Sequence, residues 1–260
     1  MGVAPPRMPG GTWKQATIYS FTNSAAGKTL FAGLVEAGGV LYGTAYASGA
    51  VCVGFGCGTV YELTPPATPG SEWTESTIYS FAGPPGDGEN PMAGLTLGPG
   101  GVFYGATLYG GSGSECADYG FAGCGTVFQL TPPAAGATDW TETILYNFTG
   151  VNGDGAYPSG SLAVDANGVL YGTTQYGGSA TSSSRCTEGK TSGCGTVFKL
   201  TPPTTPGGSW TETVLHSFAG PDDGAIAIAG PTIGPSGAIF GTTSLGGAYG
   251  DGTVFAIYLR

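Results

Sequence analysis

The chain has 260 residues, including 51 Gly and 19 Pro, and its 17 acidic side chains outnumber its 7 basic ones to give a net charge of −10. This scarcity of Lys and Arg argues against a nucleic-acid partner and against binding to an anionic membrane surface. No apolar run approaches the roughly 18 residues that a transmembrane helix requires, so we predict no membrane insertion.

The first residues, MGVAPPRMPGG, lack the apolar segment of a signal peptide, so we expect any export signal to lie outside this sequence. The first predicted strand is Trp13–Phe21, whose letters WKQATIYSF return as WTESTIYSF, WTETILYNF and WTETVLHSF. This recurrence predicts a single domain of four tandem repeats, at about 12–72, 73–139, 140–209 and 210–260.

Each repeat contains the same four predicted strands in the same order. In the third repeat these are the Trp strand (Trp140–Phe148), a short strand (Gly160–Asp165), a strand leading into a variable loop (Val169–Gly178) and a GTVF strand (Gly195–Leu200). Alternating residues along the Trp strand and β-branched and aromatic residues in the others are typical of β-sheet. No segment has a convincing helical period, so we predict an all-β fold.

Four four-stranded sheets in tandem are typical of a β-propeller, and a solenoid is the alternative. The chain begins with an unpaired Trp strand and ends with a GTVF strand that no Trp strand follows. We therefore predict a four-bladed β-propeller of four-stranded antiparallel blades, closed by pairing the N-terminal strand (about 12–21) with the C-terminal strand (about 252–259). Small residues suit its narrow axis in the predicted inner segments Phe31–Leu34, Met92–Leu95, Ser159–Leu162 and Ile228–Pro231.

The succession DGxxP, LYGTT, GG and GTVF resembles the GloVer tandem repeat of bacterial choice-of-anchor proteins, and the resemblance covers nearly the whole chain. It implies an exported bacterial protein that is secreted or held at the cell surface. It implies no particular activity.

The loops that vary between repeats follow the LYGTT strands. Because antiparallel strands alternate in direction, these loops share one face with the loops that follow the Trp strands. Variable loops on a rigid scaffold often carry function, so we expect the working surface on this face.

All six Cys fall in the variable loops, two in each of the first three repeats. We predict the local disulfides Cys52–Cys57, Cys116–Cys124 and Cys186–Cys194, which imply an oxidising compartment. The alternative is a zinc site, but four ligands would have to converge from pairs that lie on separate blades.

Asp87, Asp154 and Asp223 recur beside Gly in the loops after the Trp strands. Carboxylates there could bind Ca²⁺, but Asp before Gly more often accepts backbone N–H groups of its own turn, which is our prediction. His216, the only His, takes the place of a Tyr in the other Trp strands, so we predict a structural role. No other cofactor is predicted.

Aromatic rings and carboxylates in loops suit sugars, whose C–H faces stack on rings while their hydroxyls bond to acids. We therefore predict a secreted or cell-surface, non-catalytic module that binds a glycan or surface polymer. The alternative is that the acids of these loops bind no ligand and are simply solvated. The predicted ligand-binding residues are Tyr109, Tyr119, Tyr157, Tyr176, Tyr249, Arg185 and Asp251.

A second hypothesis is an extracellular enzyme that cleaves polysaccharides with two carboxylates about 5–10 Å apart. Its candidate catalytic residues are Glu89, Glu115, Asp118 and Glu188. A third hypothesis is a structural unit of an extracellular array, and the sequence leaves the oligomeric state open.

Overall fold

The computed structural model describes residues 2–4, 14–21, 29–49, 52, 56–68, 70–116, 120–179, 186–188, 191–205 and 207–258. Within these ranges the chain is all β apart from a single 3-10 turn at Pro99–Gly101, which confirms the predicted fold class. In the described ranges, no helix has the length and apolar character needed to cross a membrane.

The strands are numbered along the chain. They are β1 (Gly2–Ala4), β2 (Lys14–Ala16), β3 (Val35–Ala37), β4 (Val40–Ala45), β5 (Thr59–Thr64), β6 (Thr74–Ser80), β7 (Gly88–Glu89), β8 (Thr96–Leu97), β9 (Phe103–Thr107), β10 (Tyr109–Gly110), β11 (Thr126–Thr131), β12 (Thr141–Asn147), β13 (Gly155–Pro158), β14 (Ala163–Val164), β15 (Leu170–Gly177), β16 (Thr187–Glu188), β17 (Thr191–Ser192), β18 (Thr196–Thr201), β19 (Thr211–Ser217), β20 (Thr232–Ile233), β21 (Ile239–Thr243) and β22 (Thr253–Ile257).

Four antiparallel sheets follow one another along the chain, and their strands pair in sequence order. The first is β3-β4-β5-β6, the second β8-β9-β11-β12, the third β14-β15-β18-β19 with β13 also on β15, and the fourth β20-β21-β22. The Trp strands β6, β12 and β19 each pair with the GTVF strand before them, so each of these sheets takes its outer strand from the start of the next predicted repeat.

Neighbouring sheets pack through buried Phe pairs. Phe148, at the end of the second sheet's Trp strand, meets Phe198 of the third sheet edge-on at 5.1 Å, and both rings are fully buried. Burying one Phe stabilises a fold by about 1.5–3 kcal/mol, and an aromatic pair adds about 1 kcal/mol. The same contact recurs between Phe81 and Phe128 and between Phe218 and Phe255.

These rings explain the Gly of the LYGTT strands. A Cβ on Gly172 would collide with the ring of Phe198, and a Cβ on Gly105 would collide with that of Phe128. The missing side chain therefore leaves room for the Phe of the adjacent GTVF strand.

The four predicted inner segments surround one cavity of about 360 Å³, lined by residues 31–33, 92–94, 159–161 and 228–230. Hydrogen bonds link successive sheets beside it: the Thr44 hydroxyl donates to the Ala93 carbonyl at 2.8 Å, and the Ser159 hydroxyl donates to the Ile228 carbonyl at 2.9 Å. The four inner segments therefore lie close together around this cavity.

The predicted pairing of the N-terminal strand (12–21) with the C-terminal strand (252–259) does not form among the described residues. There β2 pairs with β1, and β22 pairs with β21 alone. A partner close along the chain costs less loop-closure entropy than one at its far end, which favours the β1–β2 pair. Phe21 still packs edge-on against Tyr61 at 5.0 Å, repeating the contact between sheets described above.

Candidate functional site

Backbone hydrogen bonds tie the loops after the Trp strands to the variable loops, so the prediction that they share a face is confirmed. The donors and carbonyl acceptors are Asn90 to Cys57 (2.6 Å), Tyr157 to Cys124 (2.8 Å) and Ile226 to Cys194 (2.9 Å). We call this surface the loop face; it consists of the described residues within 46–58, 82–91, 108–125, 149–158, 175–195, 219–227 and 244–252.

The three donors of these bonds share an unusual backbone conformation. Asn90, Tyr157 and Ile226 have φ values of 57°, 59° and 58°. Non-glycine residues in this region cost about 1–3 kcal/mol each, so the surroundings must hold them there. The strained conformation recurs from repeat to repeat at the residues that donate the bonds between loops. We therefore infer that its role is structural, in joining neighbouring sheets.

The three predicted disulfides, Cys52–Cys57, Cys116–Cys124 and Cys186–Cys194, are all formed. Each fixes a variable loop to the start of its GTVF strand, and among the described residues no Cys is free. Disulfides of this kind are typical of proteins from oxidising compartments such as the cell exterior.

The recurring Asp residues accept hydrogen bonds from their own turns, as the turn interpretation predicts. The Asp154 carboxylate accepts from the backbone N–H of Thr149 at 2.8 Å and of Gly155 at 2.7 Å, and from the Thr149 hydroxyl at 2.7 Å. Asp87 and Asp223 likewise accept from the backbone N–H groups of Ala82 and Ala219.

An Asp154→Asn variant is expected to lower the free energy of unfolding by about 1–2 kcal/mol, because an amide replaces an acceptor of charge-assisted bonds. Urea unfolding followed by Trp fluorescence measures the difference. Adding calcium to the titration should leave the free energy of unfolding of the wild type unchanged. Stabilisation by calcium that disappears in the variant would contradict the turn interpretation.

His216 has the structural role predicted for it. Its Nε2 lies 2.9 Å from Asp223 Oδ2, and the Tyr79 hydroxyl donates to Asp87 Oδ2 at 3.0 Å in the equivalent position. Both side chains thus fasten a Trp strand to the turn that follows it.

Several predicted ligand-binding aromatic residues form one row between the second and third sheets. Tyr109 stacks on Phe121 with ring centroids 4.6 Å apart, and Tyr157 meets Tyr109 and Tyr176 edge-on at 5.3 Å and 6.0 Å. Because Tyr157 is buried, this row contributes first of all to packing. Tyr119 and Arg185 lie outside the described residues.

Tyr249 has a different setting, beside an apolar cavity of about 260 Å³ on the loop face. Its side chain is 93% exposed, and Asp251, two residues further on, is also exposed. The cavity is lined by Cys186, Gly220, Pro221, Ala225, Leu245, Gly246, Gly247, Tyr249 and Gly250.

The candidate catalytic acids have unequal surroundings. Glu89 is 2% exposed and its Oε1 has no hydrogen-bond partner among the described residues, whereas Glu115 is exposed and accepts a bond from Ser114 at 3.2 Å. Glu188 lies on β16 with its side chain outside the described residues, as is the whole of Asp118.

A family model described as the Gloeobacter/Verrucomicrobia repeat matches residues 7–185, which is more than half of the chain. The chain belongs to this family. None of the curated proteins matches it. Membership in the Gloeobacter/Verrucomicrobia repeat family confirms the GloVer resemblance found in the sequence and assigns no activity.

Within this repeat, the Trp strands carry acids whose environment the sequence does not reveal. Burial, reinforced by the charge of Asp87, raises the pKa of Glu142 to about 7, and burial with the charge of Asp154 raises that of Glu212 to about 7. In each, Oε1 is buried and has no hydrogen-bond partner in the part of the chain that the structure describes.

The cavity beside Tyr249 combines residues that no single motif of the repeat unites. Ala225 and Leu245, which exchange backbone hydrogen bonds of 2.8 and 3.0 Å, come from the two kinds of loop on the loop face. In the sequence, the only indication of this site was Tyr249, an aromatic residue in a Gly-rich loop. Leu245 and Pro221 were therefore not predicted.

Proposed function

We propose that this repeat protein is an exported, non-catalytic module that binds a glycan or another surface polymer at the loop face, in the cavity beside Tyr249. The observation that carries the proposal is the concave apolar cavity flanked by a side chain that is 93% exposed. Ligand sites usually combine an apolar hollow with a few polar groups. Here Tyr249 would stack on a sugar ring and Asp251 would accept hydroxyl donors.

We propose further that the scaffold is a four-bladed propeller. Four sheets placed around one axial cavity, and the recurring Phe contacts between them, support this architecture. The described part of the fourth sheet has three strands, so its outer edge along β22 is open.

The surroundings of the candidate catalytic acids favour binding without catalysis over the enzyme hypothesis. Glycoside hydrolysis needs two carboxylates that reach the same bond from about 5–10 Å apart. Glu89 is enclosed in the protein and Glu115 is exposed to solvent, so these two acids do not present a matched pair to a ligand.

A glycan array followed by calorimetry on its hits tests the proposal. A Tyr249→Ala variant is expected to weaken binding about tenfold, because the ring contributes stacking area worth about 1.4 kcal/mol. Tyr258→Ala is the matched control, since Tyr258 is also exposed, at 70%, but lies just beyond β22 outside the cavity lining.

If the Tyr249→Ala variant and the wild type bind the glycan with equal affinity, the proposed position of the site beside Tyr249 is wrong. New reducing ends from soluble polysaccharides, lost in a Glu115→Gln variant, would favour the enzyme hypothesis instead.

The open edge of β22 favours assembly as a second candidate function. Val254 on this strand is 83% exposed, and unpaired strand edges readily pair with another chain. Light scattering that shows particles of many subunits, with no hit on the array, would support an array unit rather than a binding module.

A further inference from the structure

The three disulfides are not equivalent in their exposure to solvent. Cys57 and all four Cys of the other two bridges are buried, at 0–1% exposure. Cys52 is only partly buried. Since thiol–disulfide exchange requires a thiolate to reach a sulfur atom, Cys52–Cys57 is the most accessible of the three bridges.

The same bridge also differs in its neighbours. A carboxylate oxygen of Glu89 and the sulfurs of Cys52 and Cys57 all lie within 4.8 Å of one another. In the next two repeats the position of Glu89, two residues after the recurring Asp, is occupied by Ala156 and Ala225. The least buried bridge is therefore also the one that has an acid beside it.

Glu89 does not contribute to stability in the way buried acids usually do. It is 2% exposed, and its Oε1 has no hydrogen-bond partner within the described residues. An unsatisfied buried polar group costs about 1–3 kcal/mol, a cost that the Ala of the other two repeats avoids. Burial raises the pKa of Glu89 and so favours its protonated form.

We propose that Cys52–Cys57 is a redox-active disulfide and that Glu89 is the proton donor for its reduction. The co-reactant is a dithiol, either a small molecule or a reduced protein with two Cys. The proposal is independent of the glycan site, because the cavity beside Tyr249 is lined by residues of other loops.

The chemistry follows from which Cys of the bridge is the less buried, namely Cys52. A thiolate of the dithiol attacks Cys52 Sγ, a new S–S bond forms there, the Cys52–Cys57 bond breaks, and the electron pair leaves on Cys57 Sγ. Glu89 transfers its proton to this buried thiolate, which gives a neutral thiol and a carboxylate. The second thiolate of the dithiol then attacks the mixed disulfide, releases Cys52 as a thiolate and leaves the reductant as a cyclic disulfide.

The experiment exposes the native protein to dithiothreitol, quenches samples with N-ethylmaleimide and locates the modified Cys by peptide mass spectrometry. In the wild type, Cys52 and Cys57 should be labelled at least about tenfold faster than the other four Cys. Equal rates for the three bridges, or labelling only on unfolding, would overturn the proposal even without a variant.

A Glu89→Gln variant keeps the size of the side chain but has no acidic proton. Reduction of Cys52–Cys57 should slow about tenfold, and Glu89→Asp should recover part of the rate. The other two bridges serve as controls in the same molecule. A purely packing role predicts the opposite sign, because a loosened loop would be reduced faster; an unchanged or faster rate in Glu89→Gln would refute the assignment of the proton donor.

Discussion

A Gly230→Ala variant is expected to lower the free energy of unfolding by about 3 kcal/mol, because overpacking a contact between backbones forces the two segments apart. A Cβ on Gly230 would collide with the carbonyl oxygen of Ser161 and would lie 2.8 Å from its carbonyl carbon. Both residues line the cavity among the four inner segments, Gly230 just before β20 of the fourth sheet and Ser161 just before β14 of the third.

The matched control is Gly33→Ala, at the equivalent position of the first repeat. A Cβ on Gly33 would meet no described atom within 4 Å, and neither Gly has a positive φ. We expect this variant to stay within about 0.5 kcal/mol of the wild type. Urea titrations at fixed pH compare all three proteins. Equal stability of the two variants would mean that the inner segments at 159–162 and 228–231 do not approach each other as closely as described.

The repeated parts of the fold could be predicted because the same residues recur in successive repeats, where they make the same local contacts. Gly172 recurs in LYGTT because a Phe ring covers it, and Cys194 recurs before GTV because it fixes the adjacent loop. Such positions depend on contacts within one repeat or with its neighbour, so their recurrence, in four copies for the Gly and in three for the Cys, could be recognised in the sequence.

The pairing of the strands at the ends of the chain could not be predicted from such recurrence. The sequence predicted that the strand at 12–21 would pair with the strand at 252–259, but the recurrence of a Trp strand does not say which of two edges it joins. In the structure β2 pairs with β1, a segment that resembles no part of the repeat.

The candidate site shows the same limit. Exposure of Tyr249 and Asp251 is typical of loop residues and could be predicted, whereas the burial of Glu89 beside Cys52–Cys57 depends on how two loops from different repeats pack. The sequence suggested Glu89 as a candidate catalytic acid, which would have to reach a substrate, and did not predict its burial.

The second large effect concerns Glu142 and Glu212, whose surroundings favour the protonated carboxyl. Burial is the main cause, and the nearby charges of Asp87 and Asp154 add to it, raising each pKa from 4.5 to about 7. The first repeat has Gln15 in this position, so an uncharged amide already occurs there in one copy of the motif.

A raised pKa in the folded state makes stability fall as pH rises. Between about pH 4.5 and 7 the folded protein holds protons that the unfolded chain has released, so each unit of pH in this window lowers the free energy of unfolding. The full shift would correspond to about 3 kcal/mol per group. Both side chains are only partly buried, so water screens the effect and we expect about 1–2 kcal/mol for each.

The double variant Glu142→Gln/Glu212→Gln should therefore be about 2–4 kcal/mol more stable than the wild type at pH 8 and nearly equal to it at pH 4.5. Glu72→Gln, at an exposed site, serves as the control and should follow the wild type. Urea unfolding with intact disulfides, repeated across this pH range, measures the three curves. If the double variant is less stable than the wild type at pH 8, the two acids are ionised partners in the fold, and burial does not hold them in the neutral form.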